Sequence, residues 1–162
     1  MKILMVCLGN ICRSPLAEGI LQKKIIETGL DWKVDSAGTN GLHDGQKPHN
    51  LSQSVALQHG IDISGQRSRR FTKEDFNRFD KIYAMAGDVV EEMEWIAKDE
   101  FDISKVDLLM NELYPRQNRD VPDPWYGPEA GYHKVFEMIE KACDALIKNH
   151  MPVYTPQTSH TK

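Results

Sequence analysis

Hydrophobic and polar positions alternate along this chain in two rhythms, and their order predicts strands interleaved with helices. Residues 2–6, KILMV, carry apolar side chains almost without interruption, as a strand buried on both faces does. After a short loop, Ser14 and Pro15 read as a helix N-cap with proline at the first helical position. Apolar residues at 16, 17, 20, 21, 25 and 26 then form a wide helical stripe that stops near Gly29. WKVDSAG, residues 32–38, is a second short strand, and the polar, turn-rich GLHDGQKPHN at 41–50 suits a functional loop. A helix over Leu51–Gln58 closes on His59 and Gly60, where the histidine serves as a cap near the last carbonyls rather than as a catalyst.

In FTKEDF, residues 71–76, Thr72 stands where an N-cap belongs, with Asp75 at the third helical position. DKIYAMAG predicts a third strand ending at Gly87, DVVEEMEWIAK a helix, and Val106 to Met110 a weak fourth strand. Repeated proline in LYPRQNRDVPDPWYGPEAG excludes long regular structure. A last helix runs from about Glu129 to Ile147, with Val135, Met138, Ile139, Ala142, Ala145 and Leu146 on one face. Residues 150–162 are polar and aperiodic, the pattern of a flexible C-terminal tail, which leaves 1–149 as one domain. The expected class is α/β: a three-layer sandwich with a central four-stranded parallel sheet, helices on both faces, and a phosphate-binding loop between the first strand and the first helix. Ligands of such sheets bind beyond the carboxyl ends of the strands, and Cys7 stands at one.

Composition narrows the function. A net charge of −4 argues against a nucleic-acid partner, whose phosphates need an excess of Lys and Arg. The first apolar run is too short for a membrane span or a secretory signal, so no membrane partner is expected and the cytoplasm is the expected compartment. Three cysteines, Cys7, Cys12 and Cys143, are too few and too unevenly spaced for a disulfide framework or a paired zinc site. Reactive thiol or plain packing remains.

A lone cysteine after an apolar strand is more often a small buried hydrophobe. Its neighbours in CLGNICRS change that reading. The loop of Leu8, Gly9, Asn10, Ile11 and Cys12 turns backbone N–H groups inward and receives the positive end of a helix dipole, which together form an anion site. Arg13 adds a planar fork that matches two phosphate oxygens. The same field favours thiolate over thiol, making Cys7 a nucleophile at neutral pH. Ser14 can donate its hydroxyl to that sulfur, and Asn10 can fix the loop through side-chain hydrogen bonds. The nucleotide-binding loop GxxxxGK[ST] is set aside, because this loop has one glycine and no lysine.

A cysteine followed after five residues by arginine and then Ser or Thr is the signature of cysteine-dependent phosphatases, and CLGNICRSPLAE closely resembles the low-molecular-weight protein tyrosine phosphatase family. VDSAGT at 34–39, HGI at 59–61, FTKEDF at 71–76, FDKIYAM at 79–85 and DPWY at 123–126 resemble stretches of the same family, so the likeness covers residues 2–148. It implies hydrolysis of phosphotyrosine through a cysteinyl-phosphate: Cys7 attacks phosphorus, Arg13 and the N–H groups of residues 8–13 hold the oxygens, and Asp123 serves both half-reactions as general acid and base, with the loop residues 8–12, Ser14, Leu42, His43, Trp125 and Tyr126 expected to contact substrate. It implies no metal and no other cofactor. Implied partners are tyrosine-phosphorylated proteins, a bacterial tyrosine kinase among them, and inorganic phosphate or other oxyanions in the loop. The expected assembly is a monomer or weak dimer.

Departures from the family pattern matter as well. Leu42, followed by His43, stands where the family often stacks an aromatic on the substrate ring. Trp125 and Tyr126 either wall the substrate slot or cover the core. Ala86 and Val89 replace an aspartate and an asparagine common among relatives, so bonds that brace the phosphate loop must come from elsewhere. His43 and RSRR at 67–70 either receive acidic flanking residues of a substrate or form a solvated surface. Without Cys7 and Arg13 in view, Asp123 reads as a turn aspartate before proline; Asp120 is the other candidate acid but lacks the aromatic pair. Cys12 either pairs reversibly with Cys7, as its counterpart does in relatives, or packs. Three rival functions follow. Arginine phosphatases carry threonine where this chain has Ile11, thiol-dependent arsenate reductases need two further relay cysteines, and a phosphate-binding adaptor needs none of the catalytic groups.

Overall fold

The computed structural model describes residues 1–153, and residues 154–162 of the expected tail lie outside the described residues. At its centre β1 (Lys2–Cys7) pairs with β2 (Lys33–Gly38) on one side and β3 (Lys81–Ala84) on the other, and β4 (Val106–Leu108) pairs with β3. All pairings are parallel, in the order β2-β1-β3-β4. The apolar run of β1 is explained by burial on both faces. Ile3, Met5 and Cys7 join one layer with α1 (Arg13–Thr28), α2 (Asn50–Gln58) and α5 (Glu129–His150). Leu4 and Val6 join the other with Ile82, Ala84, Phe71, Phe76 and α4 (Gly87–Ala97). From β1 the chain goes first to β2 at one edge and then across to β3, so the loops after β1 and β3 diverge and leave a crevice at the strands' carboxyl ends.

Local signals decided most boundaries, with instructive exceptions. Gly29 ends α1 in the left-handed region at φ 68, its N–H donating to the carbonyls of Ile25 and Ile26. The start of α1 differs from expectation: Cys12 is the N-cap residue, without a side-chain cap bond, and Ser14 lies inside the first turn. Its hydroxyl is unavailable for capping because it is buried against Cys7 and Asn10. Thr72 is likewise no cap. α3 (Asp75–Arg78) is a single short turn, and the buried Asp75 carboxylate accepts from the Thr72 N–H at 2.9 Å and from Arg69. β3 stops at Ala84, three residues before the expected Gly87, which instead opens α4. His59 caps α2 as expected, and its ring also stacks on Phe136 with centroids 3.9 Å apart. α5 runs on to His150, past Ile147, and among the described residues no helix is long and apolar enough to cross a membrane.

Candidate active site

The crevice holds a cleft of about 260 Å³ lined by Leu8, Gly9, Ile11, Cys12, Asn40 and the six residues Cys7, Arg13, Leu42, His43, Asp123 and Trp125, with Tyr126 at its lip. Cys7 closes β1, so sheet pairing fixes its backbone, and its side chain is 3% exposed. Two groups hydrogen-bond with its sulfur, of which the Asn10 N–H donates. The Asn10 N–H lies 3.3 Å from Sγ, and the Ser14 hydroxyl 3.0 Å. Among the described residues the N–H groups of Gly9, Ile11 and Cys12 meet no protein acceptor, which leaves a ring of donors for an anion above the sulfur.

Asn10 sets the shape of the loop. It adopts φ 57, a left-handed conformation that asparagine tolerates, and its side chain is buried behind the loop. Its amide donates to Ser14 Oγ at 2.8 Å and Ser36 Oγ at 3.0 Å, and its carbonyl accepts from the Arg69 N–H at 3.0 Å. Asn10 and Ser14, expected among the substrate contacts, therefore stand behind the loop and do not line the cleft; both spend their polar atoms on neighbours. Further bonds brace the loop from outside: Ser68 Oγ to the Gly9 carbonyl at 3.0 Å, the His49 N–H to the Ile11 carbonyl at 2.8 Å, and Ser52 Oγ to the Cys12 carbonyl at 3.1 Å. Each bond of this kind contributes about 1 kcal/mol net. The bracing expected to be missing at Ala86 and Val89 thus comes from β2, α2 and the segment before α3. Gly38 is required here, since a Cβ on it would lie 2.8 Å from the Leu8 carbonyl oxygen and 2.9 Å from the Asn10 nitrogen.

Arg13 joins the two halves of the site. It is 3% exposed, donates through Nη1 to the Val121 carbonyl at 2.9 Å, and brings Nη2 to 3.8 Å from Asp123 Oδ2. The other Asp123 oxygen accepts from the Trp125 N–H at 3.0 Å. Asp120 is occupied elsewhere: it accepts from the Gly87 N–H at 2.9 Å and so caps α4, a role that no local signal in its own segment announced. Trp125 leans on His43 and His49 with centroids 5.5 and 5.3 Å away, and His49 stacks on Tyr132. Leu42 is 75% exposed and Tyr126 92%, so the outer rim is open. Asn40, placed on the wall because its N–H pairs with the Leu8 carbonyl, was not singled out from sequence.

Burial pushes Cys12 up to about 12, partly offset by the Tyr132 hydroxyl 3.7 Å away. Cys143 lies on the buried face of α5, where burial also pushes its thiol up to about 12. All three cysteines are free, and Cys143 is no part of the cleft.

Comparison with known proteins places this geometry among relatives. The family model for low molecular weight phosphotyrosine protein phosphatase matches residues 2–151. The low molecular weight protein-tyrosine-phosphatase YfkJ of Bacillus subtilis is 34% identical over 148 residues, covering 90% of this chain and 93% of its own. Its crystal structure superposes with a TM-score of 0.85, covering 94% of this chain and 97% of that one. A Drosophila arginine phosphatase superposes with a TM-score of 0.86 at 30% identity, covering 95% and 100%. Wzb of Vibrio vulnificus, crystallised with benzylphosphonate, superposes at 0.82 with 28% identity, covering 91% and 97%.

Proposed function

The chain belongs to the low-molecular-weight phosphotyrosine protein phosphatase family, and on that premise we propose that it hydrolyses phosphotyrosine in proteins with Cys7 as nucleophile, Arg13 as phosphate clamp and Asp123 as general acid and base. One observation carries this reading: a sulfur at the floor of the cleft, surrounded by N–H donors without protein acceptors, with Arg13 bridging to Asp123 across it.

In the first half-reaction Cys7 Sγ forms a bond to phosphorus as the bond to the phenol oxygen breaks, and Asp123 gives its proton to that oxygen. The loop N–H groups and Arg13 take up the negative charge of the transition state, an arrangement fixed before substrate arrives. In the second, a water oxygen attacks phosphorus, Asp123 takes the water proton, and the electron pair of the S–P bond returns to sulfur beside the Ser14 hydroxyl and the Asn10 N–H. The sulfur lies in a cleft that Trp125, His43 and Leu42 also line, and these apolar and aromatic walls suit a phenolic ester. Benzylphosphonate in the related Wzb supports that choice, since its ring and phosphonate mimic the same pair of groups.

The Drosophila neighbour favours a second reading, phosphoarginine as substrate. Ile11 weighs against it, because this residue is apolar, 6% exposed and part of the slot. The deciding experiment is hydrolysis of a phosphotyrosyl and a phosphoarginyl peptide in EDTA by the wild type and Cys7→Ser. Turnover of the tyrosyl peptide alone, lost in the variant, is expected. Preference for the arginyl peptide would overturn the substrate assignment, and no turnover of either would favour a phosphate-binding adaptor.

A further inference from the structure

Behind the phosphate loop a line of hydrogen bonds runs away from the cleft and ends on a carboxylate that the reaction itself does not use. Ser14 Oγ lies 3.0 Å from Cys7 Sγ, Asn10 Nδ2 donates to Ser14 Oγ at 2.8 Å and to Ser36 Oγ at 3.0 Å, and Ser36 Oγ donates to Glu18 Oε1 at 2.9 Å. Ser14 and Glu18 are four residues apart on α1 and so share one face of the helix.

With Cys7 as thiolate, donor and acceptor counts set the direction of these bonds. Asn10's carbonyl accepts from the Arg69 N–H, so both of its amide protons are free to go to the two serines. Each serine oxygen accepts from Asn10; a Cys7 thiolate can only accept, so Ser14 gives its proton to the sulfur, and Ser36 gives its own to Glu18. Remove the carboxyl and the Ser36 proton has no acceptor; the hydroxyl can then turn, and Asn10 loses one of the three bonds that hold its amide.

We propose that Glu18 is a positioning residue of the phosphatase reaction: as terminal acceptor of this line it locks Ser36 and, through Asn10, the direction in which Ser14 gives its hydroxyl to Cys7. The proposal rests on Cys7 being the nucleophile. The step that feels it most is breakdown of the cysteinyl-phosphate, in which the S–P bond breaks and sulfur receives the electron pair beside that hydroxyl. Phosphate held by the loop N–H groups and Arg13 feels it less.

The surroundings of Glu18 fit a carboxyl kept for a task and not for stability. Burial pushes it up to about 7 against the Ser36 hydroxyl, and the negative Asp35 on β2 adds to the rise. Arg69 faces it too, but that guanidinium is shared with Asp35 and Asp75. On its outer side α1 contributes Gln22 and Lys23, and the connection after α2 contributes Asp62 and Gln66. Lys23 is turned to Glu27 and the His59 carbonyl. An apolar side chain in this place would avoid the desolvation of a charge.

The test measures kcat and KM on a phosphotyrosyl peptide, the inhibition constant of inorganic phosphate and the melting temperature, for wild type, Cys7→Ser, Glu18→Leu, Glu18→Gln, Ser36→Ala and the double variant Glu18→Leu/Ser36→Ala. Glu18→Leu is expected to lower kcat about tenfold, with phosphate inhibition within about threefold of wild type and the melting temperature unchanged or raised. Glu18→Gln, whose Oε1 still accepts from Ser36, is expected to recover kcat to within about threefold. The double variant should be no slower than the slower single one, since both cut the same line. Wild-type kcat in Glu18→Leu, equal losses in Leu and Gln, or a kcat loss that follows a fall in melting temperature would each overturn the proposal. Full activity in Cys7→Ser would instead overturn the assignment of the nucleophile.

Discussion

The two loops that meet over the cleft are built on opposite plans. Residues 7–13 form a buried loop whose carbonyls are tied to Ser52, Ser68, Thr39, Asn40 and the His49 N–H, and whose shape depends on Asn10. Residues 119–127 form an exposed loop held by Val121, whose N–H pairs with the Met85 carbonyl and whose carbonyl takes Arg13, and by Asp120 on α4. On the proposed reading the first holds a phosphoryl group in one geometry, which needs donors that do not move. On the same reading the second admits a substrate ring, delivers a proton and lets the product leave, and an anchor at one point with free residues beyond it allows that.

Substitutions can break or sharpen this contrast. The largest effect is expected from Asp123→Asn, which should slow turnover of phenolic phosphates by about 100- to 10,000-fold while leaving the melting temperature within about a degree, because the side chain is exposed. A large loss of stability in thermal denaturation would show that the loop carrying Asp123 is structural. Gly38→Ala should do the reverse: a Cβ 2.8 Å from the Leu8 carbonyl costs about 1–3 kcal/mol of stability and distorts the loop, so activity and denaturation midpoint fall together. Asp120→Ala removes the acceptor from the N-terminus of α4 and should cost about 1 kcal/mol, with a small rise in KM as Val121 loosens.

Glu18 gives a pH test of the buried side. Its folded value of about 7 stands above the ordinary 4.5, so between these values the folded protein keeps a proton that the unfolded chain has released. Stability of the wild type should therefore fall as pH rises through that window and stay level above it. Glu18→Gln should lack that fall in urea titrations at pH 4.5 and 7.5. The smallest effect is expected at the rim, where Trp125→Ala should raise KM for a phosphotyrosyl peptide a few fold, by loss of one aromatic wall, with kcat little changed.

Much of the fold was legible from periodicity alone. β1, α1, β2, α2, β3, α4 and α5 all lie where apolar spacing puts them, because burying one face of an element needs the same spacing in any context. The loop between β1 and α1 was legible too, since Cys7, Arg13 and the donors between them are contiguous and their placement follows from strand, loop and helix start. What went astray were side chains with two possible partners. Ser14 and Thr72 both look like caps, but Ser14 is drawn to Cys7 and Asn10, and the Thr72 N–H is taken by a buried Asp75.

By itself the sequence determined the order of strands and helices and the group placed at the end of the first strand, because both depend on neighbours within one turn or one loop. Only the tertiary structure decided that Asp123 and not Asp120 faces Arg13, that Ser36, Ser52, Ser68 and His49 brace the loop, and that Glu18 ends the line behind it. The reason is directional: a hydrogen bond needs its donor and acceptor within about 3 Å and in line, and residues 18 to 108 positions apart meet those conditions only after the sheet has set where every loop begins.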